Sequence, residues 1–138
     1  MPIFALMDLP KLLPEISSRA DIERLVTAFY ARLMKNRDIG HFFTQVVELD
    51  LAKHIPRIVD FWESILFQSG GYDGDPMAVH INLNKRSPME AGHFGEWVLQ
   101  FCTTVDEMYS GEKAELAKQR AYAIASLMQV KIKRGALG

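Results

Sequence analysis

Apolar residues in this chain recur every three or four positions and nowhere alternate, and that period constrains the fold more than any single motif. Ile22, Leu25, Val26, Phe29 and Leu33 make one stripe; Ile55, Ile58, Val59, Trp62, Ile65 and Leu66 a second; Phe94, Trp97, Val98 and Phe101 a third. A helix gathers positions three and four apart on one face, whereas a half-buried strand needs a period of two. The expected class is all-α. Start and stop signals divide the stripes into helices. Ser18, with Asp21 three residues on, reads as a helix start, and Asp38-Ile39-Gly40 as its break. A second long helix is expected over about 50–69, ended by Gly70-Gly71. Ser87-Pro88-Met89-Glu90 combines a cap, a first-position proline and an acidic partner, the best start signal in the chain. That helix stops at Ser110-Gly111, and an Ala-rich one follows over 112–134, with Lys131, Lys133 and Arg134 complementing its dipole before Gly135.

Two places are awkward for helix. Pro2, Pro10 and Pro14 make residues 1–17 a loose N-terminal arm, so that one domain spans 18–138. Pro56 removes a backbone donor at a cost of ~3 kcal/mol in a helix interior. The second helix is therefore expected to begin or bend between Lys53 and Arg57, which puts His54 near a helix end.

Composition narrows the function classes. The 138 residues are 49% apolar, enough for one packed core. Sixteen basic residues against seventeen acidic ones leave a net charge of −1, so no electrostatic footprint points to nucleic acid or an anionic membrane. Cys102 is alone and cannot form an internal disulfide. No basic segment leads into a sustained apolar run, and nothing approaches the ~20 apolar residues of a membrane span. The expectation is a soluble, cytoplasmic protein.

The residues able to carry chemistry are Tyr30, Phe43, His54, Trp62, His80 and Trp97. A metal cage built from protein alone wants about four clustered donors, and neither His54 nor His80 has such company. Both stand among large aromatics instead. One imidazole facing an apolar pocket, with a second on the opposite wall, is what a haem iron requires. Each residue also has a plainer reading. His80 can be a surface-loop histidine, His93 can take its place from the next helix, and Tyr30, Trp62 and Trp97 can be core filler with their polar atoms bonded nearby.

The ordered set of pieces resembles the truncated, two-over-two haemoglobins, most of all their third group. The pieces are Phe29-Tyr30, Asp38-Ile39-Gly40 before Phe43, His54 followed by Phe61-Trp62, then Tyr72-Asp73-Gly74 and His80. Phe94-Gly95-Glu96-Trp97 and Arg120-Ala121 with Ile124-Ala125 complete it, over about residues 18–132. The resemblance implies a globin-like, truncated 2-on-2 helical sandwich around haem. His80 is then the proximal iron ligand. Tyr30, His54 and Trp97 line the distal side, Ile58 and Phe61 pack over the porphyrin, and Phe43 stacks at its edge. Trp62 stays as packing. Arg57, with Lys85 and Arg86, is a candidate for the propionates. Cys-x-x-Cys-His is absent, so the expected form is non-covalent haem b. The implied ligands are O2, NO, CO or peroxide at an exchangeable sixth position of the iron. Tight hydrogen bonding from Tyr30 and Trp97 would favour NO/O2 or peroxide redox chemistry, with an unidentified electron donor, over oxygen transport. A non-catalytic gas sensor and a haem-free helical interaction module are the alternatives. His54 is read as an entry gate or a direct ligand contact.

Overall fold

The computed structural model describes residues 13–40, 51–68 and 91–137, with backbone alone for 51, 52, 91 and 131–137. Four helices lie in these stretches: α1 Arg19–Lys35, α2 Leu51–Phe67, α3 Ala91–Met108 and α4 Glu112–Leu137. No strand occurs among the described residues. The helices form two pairs, α1 with α2 and α3 with α4, laid together through α1–α3 and α2–α4 contacts. No helix among the described residues is long and apolar enough to cross a membrane.

The three stripes become the interior. Ile22, Leu25, Val26 and Leu33 of α1, Val59 of α2 and Phe101 of α3 are all but sealed from solvent. Helix α1 begins as Ser18 suggested: its hydroxyl accepts from the Asp21 backbone N–H at 3.2 Å. The reciprocal half of the box is shifted by one residue, since the Asp21 carboxylate accepts from the backbone N–H of Ser17 (2.9 Å) and from its hydroxyl (3.0 Å). The Tyr109 hydroxyl donates to the Asp21 backbone carbonyl at 3.2 Å, which ties the end of α3 to the start of α1. The Ser17 backbone N–H, helped by its hydroxyl and by Arg24, holds the Asp21 carboxyl down at about 2.

The break after α1 falls where expected. Asn36 caps the helix, and its side-chain oxygen accepts from the N–H groups of Asp38 (2.8 Å) and Ile39 (3.1 Å). Gly40 then turns close under the helix end, where a Cβ would meet the Met34 carbonyl oxygen at 2.8 Å. Three expectations change. Helix α2 starts at Leu51, ahead of the Lys53–Arg57 stretch, and carries Pro56 inside it. Lying so near the start, the proline forfeits one backbone bond while the buried stripe beyond it holds the helix in place. The left-handed residue that ends α2 is Gln68 (φ 53°); Gly70-Gly71 lies outside the described residues, as does the Ser87–Glu90 start signal. Helix α4 runs through Gly135 to Leu137.

The end of the N-terminal arm is docked, not loose. Ser110 donates through its hydroxyl to the Leu13 carbonyl (2.7 Å) and through its N–H to the Pro14 carbonyl (3.0 Å). The Glu15 carboxylate caps α4, accepting from the N–H groups of Lys113 (3.1 Å) and Ala114 (3.2 Å). A negative group satisfying free N–H donors at a helix start is favourable for both dipole and hydrogen-bonding reasons. Ile16 is completely buried. These partners are nearly a hundred residues away in sequence, beyond the reach of a local pattern.

Candidate functional site

Tyr30 shares the α1 stripe with Val26 and Leu33 and is nearly fully buried. Its hydroxyl is 2.8 Å from Nε2 of His54, which α2 presents from its first turn, and the two rings meet edge to face at 5.2 Å. Burial pushes the Tyr30 phenol well above the usual tyrosine range. Partial burial, with the Arg57 guanidinium nearby, pulls the His54 imidazole below the usual histidine range. Both groups are therefore neutral near neutral pH. With the imidazole proton on Nδ1, Nε2 accepts from the tyrosine hydroxyl.

Beside this pair lies a cavity of about 30 Å³ lined by Phe29, Tyr30, Ile58, Phe61, Trp62, Trp97 and Ile124. All four helices contribute to it. A void of this measure holds one or two molecules the size of water. Its lining is apolar apart from the Tyr30 hydroxyl and the indoles. The Trp97 indole nitrogen is shielded from solvent. The rings behind the wall are packed in series: Phe101 stacks on Trp62 (4.9 Å between centroids, 13° between planes) and on Trp97 (6.1 Å, 11°). Phe29 meets Phe101 and Trp97 edge-on at 5.0 and 5.7 Å. Such pairs contribute about 0.5–1.5 kcal/mol each beyond their buried area. A larger recess, about 250 Å³, opens beside Cys102 and Tyr122 on α3 and α4, but none of the residues singled out from the sequence for chemistry lines it.

The described structure thus brings together Tyr30, His54, Ile58, Phe61 and Trp97. Arg57 is exposed and bears on the site through its charge on His54. Phe43 and His80 lie outside the described residues. His93 is half-buried on α3, and Cys102 is a half-buried free thiol whose pKa burial raises. No group of three or more histidine, cysteine, aspartate or glutamate side chains able to hold a metal occurs among the described residues. Trp62, expected from the sequence to be packing alone, both packs and lines the cavity. The signal was present, since Ile58, Phe61 and Trp62 stand at i, i+3 and i+4 on one helix face. Ile124 joins from α4, a contact that no local period predicts.

No protein-family model matches the chain. Over 118 residues it is 28% identical to the group 3 truncated hemoglobin ctb of Campylobacter jejuni, an alignment covering 83% of this chain and 91% of that protein. The crystal structure of a group III truncated hemoglobin from Campylobacter jejuni superposes with a TM-score of 0.74 at 27% identity, covering 88% of this chain and 95% of the other. The likeness runs through nearly the whole of both chains in sequence and in fold: this chain is similar to the group III truncated haemoglobins and shares their globin-like, all-α architecture.

Proposed function

We propose that the chain binds haem b and takes small diatomic ligands or peroxide into the cavity beside Tyr30 and Trp97, for redox chemistry and not for oxygen transport. The observation that carries this reading is the cavity itself: a space of about 30 Å³, apolar on most sides, with a buried phenol and a buried indole in its wall. That combination fits the distal side of a haem. Apolar walls keep bulk water out, and the two donors offer hydrogen bonds to a small ligand that gains negative charge.

In this reading His80 would hold the iron, Phe43, Ile58 and Phe61 would contact the porphyrin, and Arg57 would pair with a propionate. Haem, when bound, supplies a redox-active iron with an exchangeable position for O2, NO, CO or peroxide. Tyr30 and Trp97 hold and orient the ligand through their protons. His54 holds Tyr30 in place until a ligand arrives, and Trp62 and Phe101 keep the indole of Trp97 fixed. Charge-assisted bonds of ~1.5–3 kcal/mol each slow ligand release by one to several orders of magnitude. Slow release suits a ligand that is consumed where it binds, with electrons from a separate donor.

The test compares His80→Ala with His93→Ala. Loss of haem retention in the first, with retention intact in the second, is the expected outcome. The reverse pattern moves the iron ligand to α3 and redraws the pocket.

A further inference from the structure

The Tyr30–His54 contact has a chemistry of its own. Tyr30 is buried to 3% exposure, so a charged form of its ring is strongly disfavoured there. A phenol that loses an electron becomes a strong acid, and in such a place the proton must leave with the electron. His54 Nε2 stands 2.8 Å away to receive it. The imidazole is neutral, hence able to accept, and its half-exposed ring reaches solvent. Arg57 disfavours a lasting imidazolium, so the proton does not stay trapped.

We propose that Tyr30 and His54 form a proton-coupled redox pair, in which Tyr30 gives up one electron while its hydroxyl proton crosses to His54 Nε2. The O–H bond of Tyr30 breaks and an N–H bond forms on Nε2; the products are a neutral phenoxyl radical and an imidazolium. The oxidant is hydrogen peroxide, which takes two electrons and two protons to give two molecules of water. Tyr30 supplies one of those electrons, and a small-molecule reductant of the ascorbate class supplies the other; each of the two reductant equivalents used per cycle releases one proton with its electron, and these two protons go into the water. A second reducing equivalent then returns Tyr30 to the phenol as the proton comes back from His54. This use of the pair rests on the proposed haem site as the place where peroxide is consumed. Phe29 lies between Tyr30 and Trp97, at 5.6 Å from the first ring and 5.7 Å from the second, which makes Trp97 the rival donor.

The test has two arms. In the first, the full haem-loaded chain is mixed with hydrogen peroxide, frozen, and its radical read by electron paramagnetic resonance. A tyrosyl signal is expected that Tyr30→Phe abolishes, His54→Ala lowers about tenfold, and added imidazole restores in His54→Ala. A signal that survives Tyr30→Phe, a tryptophanyl signal in its place, or indifference to His54→Ala overturns the proposal. In the second arm the haem-free full chain is oxidised by a flash-generated ruthenium(III) polypyridyl complex. Formation of the Tyr30 phenoxyl should show a solvent deuterium isotope effect that His54→Ala removes. A Tyr30 phenoxyl in a chain that never binds haem upholds the pair and sinks the haem reading. Firm haem binding with no Tyr30 phenoxyl in either arm does the opposite.

Discussion

At the scale of single residues, the site turns on which partner each donor keeps. Tyr30 already has one in His54, so in the proposed site an incoming ligand would have to break that bond before it could use the hydroxyl. A typical net hydrogen bond of 0.5–1.5 kcal/mol corresponds to roughly 2- to 12-fold in rate. His54→Leu should therefore speed CO association by about that factor in flash photolysis, and change dissociation less. Protonating His54 removes the same acceptor. Association in the parent chain should rise as pH falls below the usual histidine range, because burial and Arg57 lower the His54 pKa, and His54→Leu should lose this dependence. Faster dissociation with unchanged association would make His54 itself the ligand's donor. Tyr30→Phe and Trp97→Phe should each speed oxygen dissociation. Their double mutant should depart from additivity by roughly 0.5–3 kcal/mol, since both act on one ligand. Additive effects would mean separate sites of action. Tyr30, His54 and Trp97 were legible in the sequence as residue types able to act. That His54 engages Tyr30 was not, because a pairing across two helices depends on how the helices cross and leaves no period in either.

At the scale of elements, local chemistry set the starts and turns that the sequence displayed, and distant partners set the rest. Ser18 and the Asp38-Ile39-Gly40 break were readable because their hydrogen bonds close within a few residues. The stop at Gln68 was hidden, since a non-glycine residue with positive φ looks like any other glutamine. The docked segment before Ser18 was hidden too, because Glu15 finds its donors on α4. Asp21 joins the two kinds of contact, capping locally and meeting Tyr109 just past the end of α3. Its carboxyl is held at about 2, below the ordinary value of 3.8, so its contribution is present in full above the usual aspartate range and is lost as pH falls through about 2. Asp21→Asn should lower unfolding stability by about 1–3 kcal/mol at neutral pH. It should also flatten the decline between those two pH values in urea titrations. An equally steep acid decline in Asp21→Asn would assign it to other carboxylates.

At the scale of the whole molecule, the three-four period was enough for an all-α chain, and the order of aromatic and histidine pieces was enough for its likeness to the truncated haemoglobins. Two helix pairs packed together then do what no stripe can do alone. They bring Tyr30 from α1, Ile58, Phe61 and Trp62 from α2, Trp97 from α3 and Ile124 from α4 around one small void. Arg19 locks the first pair, bridging to Asp60 at 2.7 Å and Glu63 at 2.9 Å, and Arg32 joins α1 to Glu107 of α3 at 2.7 Å. The central claim is that this void is the distal side of a haem pocket, and absorption spectroscopy of the purified chain tests it most directly. About one extractable haem b per chain is expected, with distinct ferric, ferrous and CO-bound spectra and an intense band that shifts when CO is added to the reduced protein. A colourless chain whose spectrum shows no binding on titration with hemin would contradict the claim outright.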